Sequence, residues 1–126
     1  MRADVLLHGT ETGEHLSVTE IELPPHTEGP PLHAHDFDEA FYVLEGELLF
    51  QVEDTIVAKR AGELSFAPGN VPHTLANHSD ATARYVLVCA PAGLERHWAG
   101  EGGPIPEVTV VGPPIPLDVR GRQRIA

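Results

Sequence analysis

The chain has 126 residues, 41% of them hydrophobic and 21% charged, with one cysteine. That suits one globular domain whose core needs no disulfide framework. Nineteen acidic against eight basic residues give a formal net charge of −11, which argues against nucleic acid and against anionic membrane surfaces, since both need a basic face. The longest apolar stretch, Tyr85 to Ala92, is far short of the about 20 residues of a membrane span. Val5-Leu6-Leu7 is too small for the core of an export signal, so the cytoplasm is the expected location.

Twelve glycines and twelve prolines are spread as punctuation, the habit of an all-β chain with tight connections. Residues 15–23 mix β-branched residues with alternating polarity and read as a strand, with a change of phase near Glu20 that suits a bulge or bend. Pro24-Pro25 ends it. His33 to Leu44 reads as extended, and Phe41-Tyr42-Val43-Leu44 is its strongest signal. Glu45-Gly46-Glu47 turns the chain into a return strand from Leu48 to Val52. Further strands are expected at 55–59, 64–67, 73–77 and 84–90, with turn signals every 8–12 residues, the rhythm of a sandwich or barrel. Leu94 to Trp98 suits one short helical turn. Residues 1–99 therefore form the domain. Residues 100–126, with five prolines in 104–116 and apolar patches at Val108–Val111 and Ile115–Leu117, read as an extended arm over the domain or over a partner subunit.

His33-Ala34-His35 places two imidazoles on one face of an extended segment, about 7 Å apart along the chain. Glu39 has the same parity, and Phe41 and Val43 continue that face as apolar lining. His73 opens a later strand. Three neutral imidazoles and one carboxylate suit Fe, Mn, Co, Ni, Cu or Zn. Phe41, Val43, Phe50, Phe66 and Leu75 are read as core or substrate-pocket lining, and His26 as a residue facing the mouth. Asn77 reads as a turn or backbone-bonding residue, and Cys89 as buried and inert.

The spacing of these residues resembles the cupin superfamily, both of whose motifs stand here in order. The first reads Gly29-Pro-Pro-Leu-His33-Ala-His35-Asp-Phe-Asp-Glu39-Ala-Phe-Tyr-Val-Leu-Glu-Gly46, with the leading glycine closer to the first histidine than the family has it. The second reads Gly62-Glu-Leu-Ser-Phe-Ala-Pro68-Gly-Asn70-Val-Pro-His73-Thr-Leu-Ala-Asn77, with Asn70 where the family usually carries glycine. Asparagine tolerates a left-handed backbone, so that turn can survive.

The resemblance implies a jelly-roll β-barrel holding one divalent transition metal through His33, His35, Glu39 and His73, with open coordination positions. It further implies an enzyme, best matched by a dioxygenase acting on an enol, phenol or diketone, in which Glu39 also takes a substrate proton. A zinc-dependent isomerase or polyketide cyclase, and a non-catalytic small-molecule or sugar binder, are the alternatives. A homodimer is expected, because the outer face of the Phe41–Leu44 strand, carrying Tyr42 and Leu44, needs cover.

Overall fold

The computed structural model of the protein describes residues 1–101 and 106–120. Among these residues, ten strands run in chain order: β1 (Arg2–Leu7), β2 (Ser17–Leu23), β3 (His33–Ala34), β4 (Asp38–Glu45), β5 (Glu47–Val52), β6 (Thr55–Arg60), β7 (Leu64–Ala67), β8 (His73–Ala76), β9 (Ala83–Ala90) and β10 (Thr109–Val110). One helical turn, α1 (Glu95–Trp98), follows β9. The strands form two five-stranded sheets, β1-β2-β9-β4-β7 and β10-β3-β8-β5-β6. All strand pairings are antiparallel. This is a jelly roll whose two sheets stay open at their edges.

Strict alternation builds the core. On β2, β4 and β9, every second residue is buried, among them Ile21, Leu23, Phe41, Val43, Tyr85 and Leu87. They meet Leu48 and Phe50 of β5 in one continuous cluster. The Phe41 ring lies 5.2 Å from that of Phe50 and 6.0 Å from that of Tyr85. Truncating such a phenylalanine to alanine costs about 3–5 kcal/mol, through lost transfer energy and the cavity left behind.

The turns use residues that tolerate positive φ. Gly46 (φ 80°) links β4 to β5, and a Cβ there would stand 2.8 Å from the Thr82 carbonyl oxygen. Asn70 has φ 66°. Its N–H donates to the His35 carbonyl at 2.6 Å, so the departure from glycine leaves the loop before His73 intact.

Two expectations need correction, and one strand was not expected at all. First, β2 carries no bulge. It pairs with β9 in unbroken register from Ser17 opposite Cys89 to Leu23 opposite Ala83. Ser17 and Thr19 are buried polar residues on the inner face, so polarity changes along the strand while backbone parity does not. The irregularity lies instead in β1, between Val5 and Leu7. Second, 33–44 is not one extended segment. It breaks at 35–37, because β3 belongs to the second sheet and β4 to the first. The strand β1 itself gave no signal in the sequence: it is an edge strand, and none of its residues is fully buried.

From Pro106 onward the chain follows the second sheet. In β10, Thr109 pairs with Ala34 and Val110 with His33. Ile115, 2% exposed, packs with Leu49 and Ala76, so β5 is buried on both faces. The rest of the expected arm, 102–105 and 121–126, lies outside the described residues.

Candidate metal centre

Both sheets contribute to the site. His33 sits on β3 directly opposite His73 on β8. His35 occupies the bend between the sheets, where its ring stacks on Phe37 with centroids 3.6 Å apart. Glu39 enters from β4, opposite Cys89 of β9. The change of sheet at 35–37 is therefore what carries a carboxylate across to the imidazoles. One ligand atom from each of His33, His35, Glu39 and His73 lies within 4.8 Å of every other.

All three imidazoles are oriented by the same device. Nδ1 of His33 donates to the Pro31 carbonyl at 2.8 Å, that of His35 to the Phe37 carbonyl at 3.0 Å, and that of His73 to the Val71 carbonyl at 2.9 Å. A carbonyl only accepts, so these bonds fix the proton on Nδ1 and leave each Nε2 lone pair for the centre. Yet Nε2 of His35 and of His73 also lie 2.6 and 2.8 Å from Oε1 of Glu39. A neutral imidazole has one N–H and cannot satisfy two acceptors. Either a second proton occupies each ring, or a cation sits among the lone pairs and the carboxylate. The donor set therefore fits a divalent transition ion, whose charge would offset the buried carboxylate.

The electrostatics agree. Burial pushes the Glu39 carboxyl up, but the hydrogen bonds from His35 and His73 and their Coulombic pull outweigh it and hold it down at about 2. Burial lowers His73, yet the bonds to Glu39 and to the Val71 carbonyl carry it above its ordinary value. Burial, reinforced by His73 and His35, lowers His33 despite the bond to Pro31. Close by, burial and the Glu39 charge push the Tyr85 phenol and the Cys89 thiol well up, so both stay protonated. The thiol stands 3.9 Å from Oε2 of Glu39.

The centre opens into a cavity of about 280 Å³, mostly apolar in its lining. Phe41 and Leu75 line it; Val43 and Phe50 instead pack in the core, and neither lines the cavity. Phe66 does not line it either. It is 51% exposed, because β7 turns Ser65 and Ala67 inward. His26 is also displaced from the mouth. Its backbone is left-handed (φ 55°), and its ring pairs with Asp80 at 2.9 Å on the surface. Trp98 reads from sequence as a lid or interface residue and does line the cavity, whereas nothing in the sequence placed Leu94 and Val108 beside it there. Their proximity to the centre is set by the return of the chain after β9, which no local pattern reveals. Asn77 is fully buried; its side-chain NH2 donates to the carbonyls of Pro24 and Ala81 at 3.0 and 2.9 Å, holding the loop that precedes His33.

Residues 19–89 match the family model of the cupin domain. The chain belongs to the cupin family. None of the curated proteins matches it. Among solved structures, this cupin is similar to a Thermus thermophilus protein at 30% identity and TM-score 0.57, over 62% of this chain and 74% of that one. It is also similar to a predicted oxalate decarboxylase from Thermotoga maritima at 23% identity and TM-score 0.66, over 71% and 78%. A third likeness is to the polyketide cyclase RemF from Streptomyces resistomycificus, at 23% identity and TM-score 0.67, over 86% and 69%. The last two likenesses show the shared fold. Among the described residues, no helix is long and apolar enough to cross a membrane.

Proposed function

We propose that this cupin is a metal-dependent enzyme, a dioxygenase acting on a small enol, phenol or diketone. The observation that carries this reading is the convergence of three Nδ1-protonated imidazoles and Glu39 at the end of an apolar cavity. A closed structural site would be surrounded by protein, whereas this one faces space large enough for a small molecule. A bound iron, manganese, nickel, cobalt or copper ion would supply Lewis acidity and redox capacity there, and zinc the first alone.

The chain's own residues supply the rest. His33, His35 and His73 present lone pairs at fixed angles. Glu39 is held ionised but weakly basic by His35 and His73, so it would take the proton of an enol or phenol only on swinging away from them, where its basicity rises. Phe41, Leu75 and Leu87 exclude water from the substrate body.

The test is oxygen consumption by protein reconstituted with each of the six metals, in the presence of flavonols and β-diketones. Uptake of dioxygen in step with substrate loss is expected with at least one redox-active ion. Turnover without oxygen uptake, most active with zinc, would make the protein an isomerase or cyclase instead. Tight binding of an unaltered ligand under every metal would make it a binding protein.

A further inference from the structure

Tyr85 has a ring that the core explains and a hydroxyl that it does not. The ring packs in the main core cluster, 6.0 Å from that of Phe41, and the residue is 5% exposed. The hydroxyl makes no hydrogen bond with any described residue. Nor is it sealed in. Among the described residues, the one enclosed side-chain polar atom without a partner is Nε2 of His78. Tyr85 lines the cavity of the metal centre, so the small opening left to it is the cavity itself. A phenylalanine would fill the core equally well, without stripping water from a hydroxyl that gains no partner in return.

The other polar side chains of the lining are committed or stand at its ends. The hydroxyl of Thr27 donates to the Pro24 carbonyl at 2.7 Å, and that of Thr74 to the Pro30 carbonyl at 2.7 Å. The indole N–H of Trp98 belongs to a half-buried residue of the outer wall, and Met1, with its α-ammonium, and Glu28 are exposed at the rim. His33, His35, Glu39 and His73 form the inner end. Burial and the Glu39 charge keep the Tyr85 phenol protonated, so it faces the cavity as a donor.

Its position is set by register. Along β4 and β9, Cys89 stands opposite Glu39, Leu87 opposite Phe41 and Tyr85 opposite Val43. Tyr85 is therefore about 13 Å of strand from the level of Glu39, with Phe41 and Leu87 lining the stretch between. The outer wall is held too. Between Leu94 and Trp98, the fully buried Glu95 carboxylate accepts the N–H of Gly9 at 2.8 Å and of Gly93 at 2.6 Å, a clamp that ties the β1–β2 connection to the helical turn.

We propose that Tyr85 is a specificity-determining residue, whose hydroxyl donates a hydrogen bond to an uncharged carbonyl oxygen on the body of the substrate while other substrate oxygens face the centre. This rests on the metal-dependent reading above and adds the class of substrate to it: a molecule with oxygen groups at two positions, joined by an apolar segment.

The test uses cobalt-loaded protein and two pairs of probes: 3- and 4-acetylbenzohydroxamate, and the 3- and 4-isopropenyl compounds, in which a methylene replaces the acetyl oxygen. The visible spectrum of cobalt reports contact of the hydroxamate with the centre. Trp98 is the only tryptophan in the chain, so its fluorescence reports occupancy. In at least one pair, Tyr85→Phe is expected to weaken the acetyl probe relative to its isopropenyl partner by about threefold to tenfold, the worth of one neutral hydrogen bond. A tyrosine that only packs would change both members of a pair alike. Melting temperature and cobalt content should not fall in the variant.

An affinity ratio that Tyr85→Phe leaves unchanged in both pairs would overturn the proposal. So would a variant melting about 4 °C or more below the wild type, since the hydroxyl would then be bonded within the fold. Wild-type protein that takes up cobalt yet binds none of the four probes at millimolar concentration would also overturn it, with the metal reading left standing. A protein that takes up no cobalt would overturn both.

Discussion

Removing the Glu39 charge tests how much the centre costs or contributes before any metal binds. In the chelator-treated protein the folded state holds this carboxyl at about 2, against about 4.3 for a free glutamate. The group is 5% exposed, so solvent screening does little to discount the difference. A depressed carboxyl contributes stability that is fully present above the unfolded pKa and is lost as pH falls through the folded one. At pH 6, where the raised His73 still carries its proton, the contribution is about 3 kcal/mol, and at pH 3 about 1 kcal/mol remains. Glu39→Gln keeps the shape and removes the charge. The variant should therefore be less stable by about 3 kcal/mol at pH 6, or about 10 °C in Tm for a chain of this size, with the gap narrowing to about 1 kcal/mol at pH 3. Guanidinium unfolding followed by circular dichroism at the two pH values measures both. Equal stability at pH 6, or a gap that does not shrink on acidification, would refute the charge-paired description of the cluster.

Metal affinity should depend on pH in the opposite range. Binding requires unprotonated Nε2 atoms, and His73 is raised above its ordinary value. Affinity should then fall by up to about tenfold for each proton displaced per pH unit. A competition titration with a chromophoric chelator at pH 8 and pH 6 reads it directly, and a flat profile contradicts it. Gly29→Ala should destabilise by about 3 kcal/mol or more, because the new Cβ would lie 1.6 Å from the Leu75 carbonyl oxygen; a normal melting curve would show that the close approach of this loop to β8 is misplaced. The outer face of β4 and β7 leaves Tyr42, Leu64 and Phe66 44–51% exposed, and we expect a second copy of the chain to cover it. Light scattering should give twice 13.6 kDa, reduced towards the monomer in Phe66→Glu; a wild-type monomer rules the pairing out.

What could be read from sequence, and what could not, divides along the range of the interactions. The convergence of these four side chains was legible because His33, His35 and Glu39 lie close along the chain and His73 opens a strand behind Pro68 and Pro72. Asn70 was legible too, since a left-handed residue has few chemical options. Phe66 was misjudged because hydrophobicity alone does not set parity: β7 buries the small Ser65 and Ala67 and sends the aromatic ring outward. Ser17 and Thr19 misled in the converse way, as polar residues on an inward face. The break at 35–37 was hidden because its alternation continues through the bend while the strand changes sheets. The Leu94–Trp98 wall and the Glu95 clamp depend on contacts between the two ends of the domain, which spacing cannot encode.

The most direct test of the metal centre is elemental analysis of protein purified without chelators, alongside His73→Ala prepared in parallel. One divalent transition ion per folded wild-type chain, with the variant still folded but retaining only a small fraction of it, is the expected result. A folded wild-type chain that carries no such ion and takes none up from solution would contradict the account.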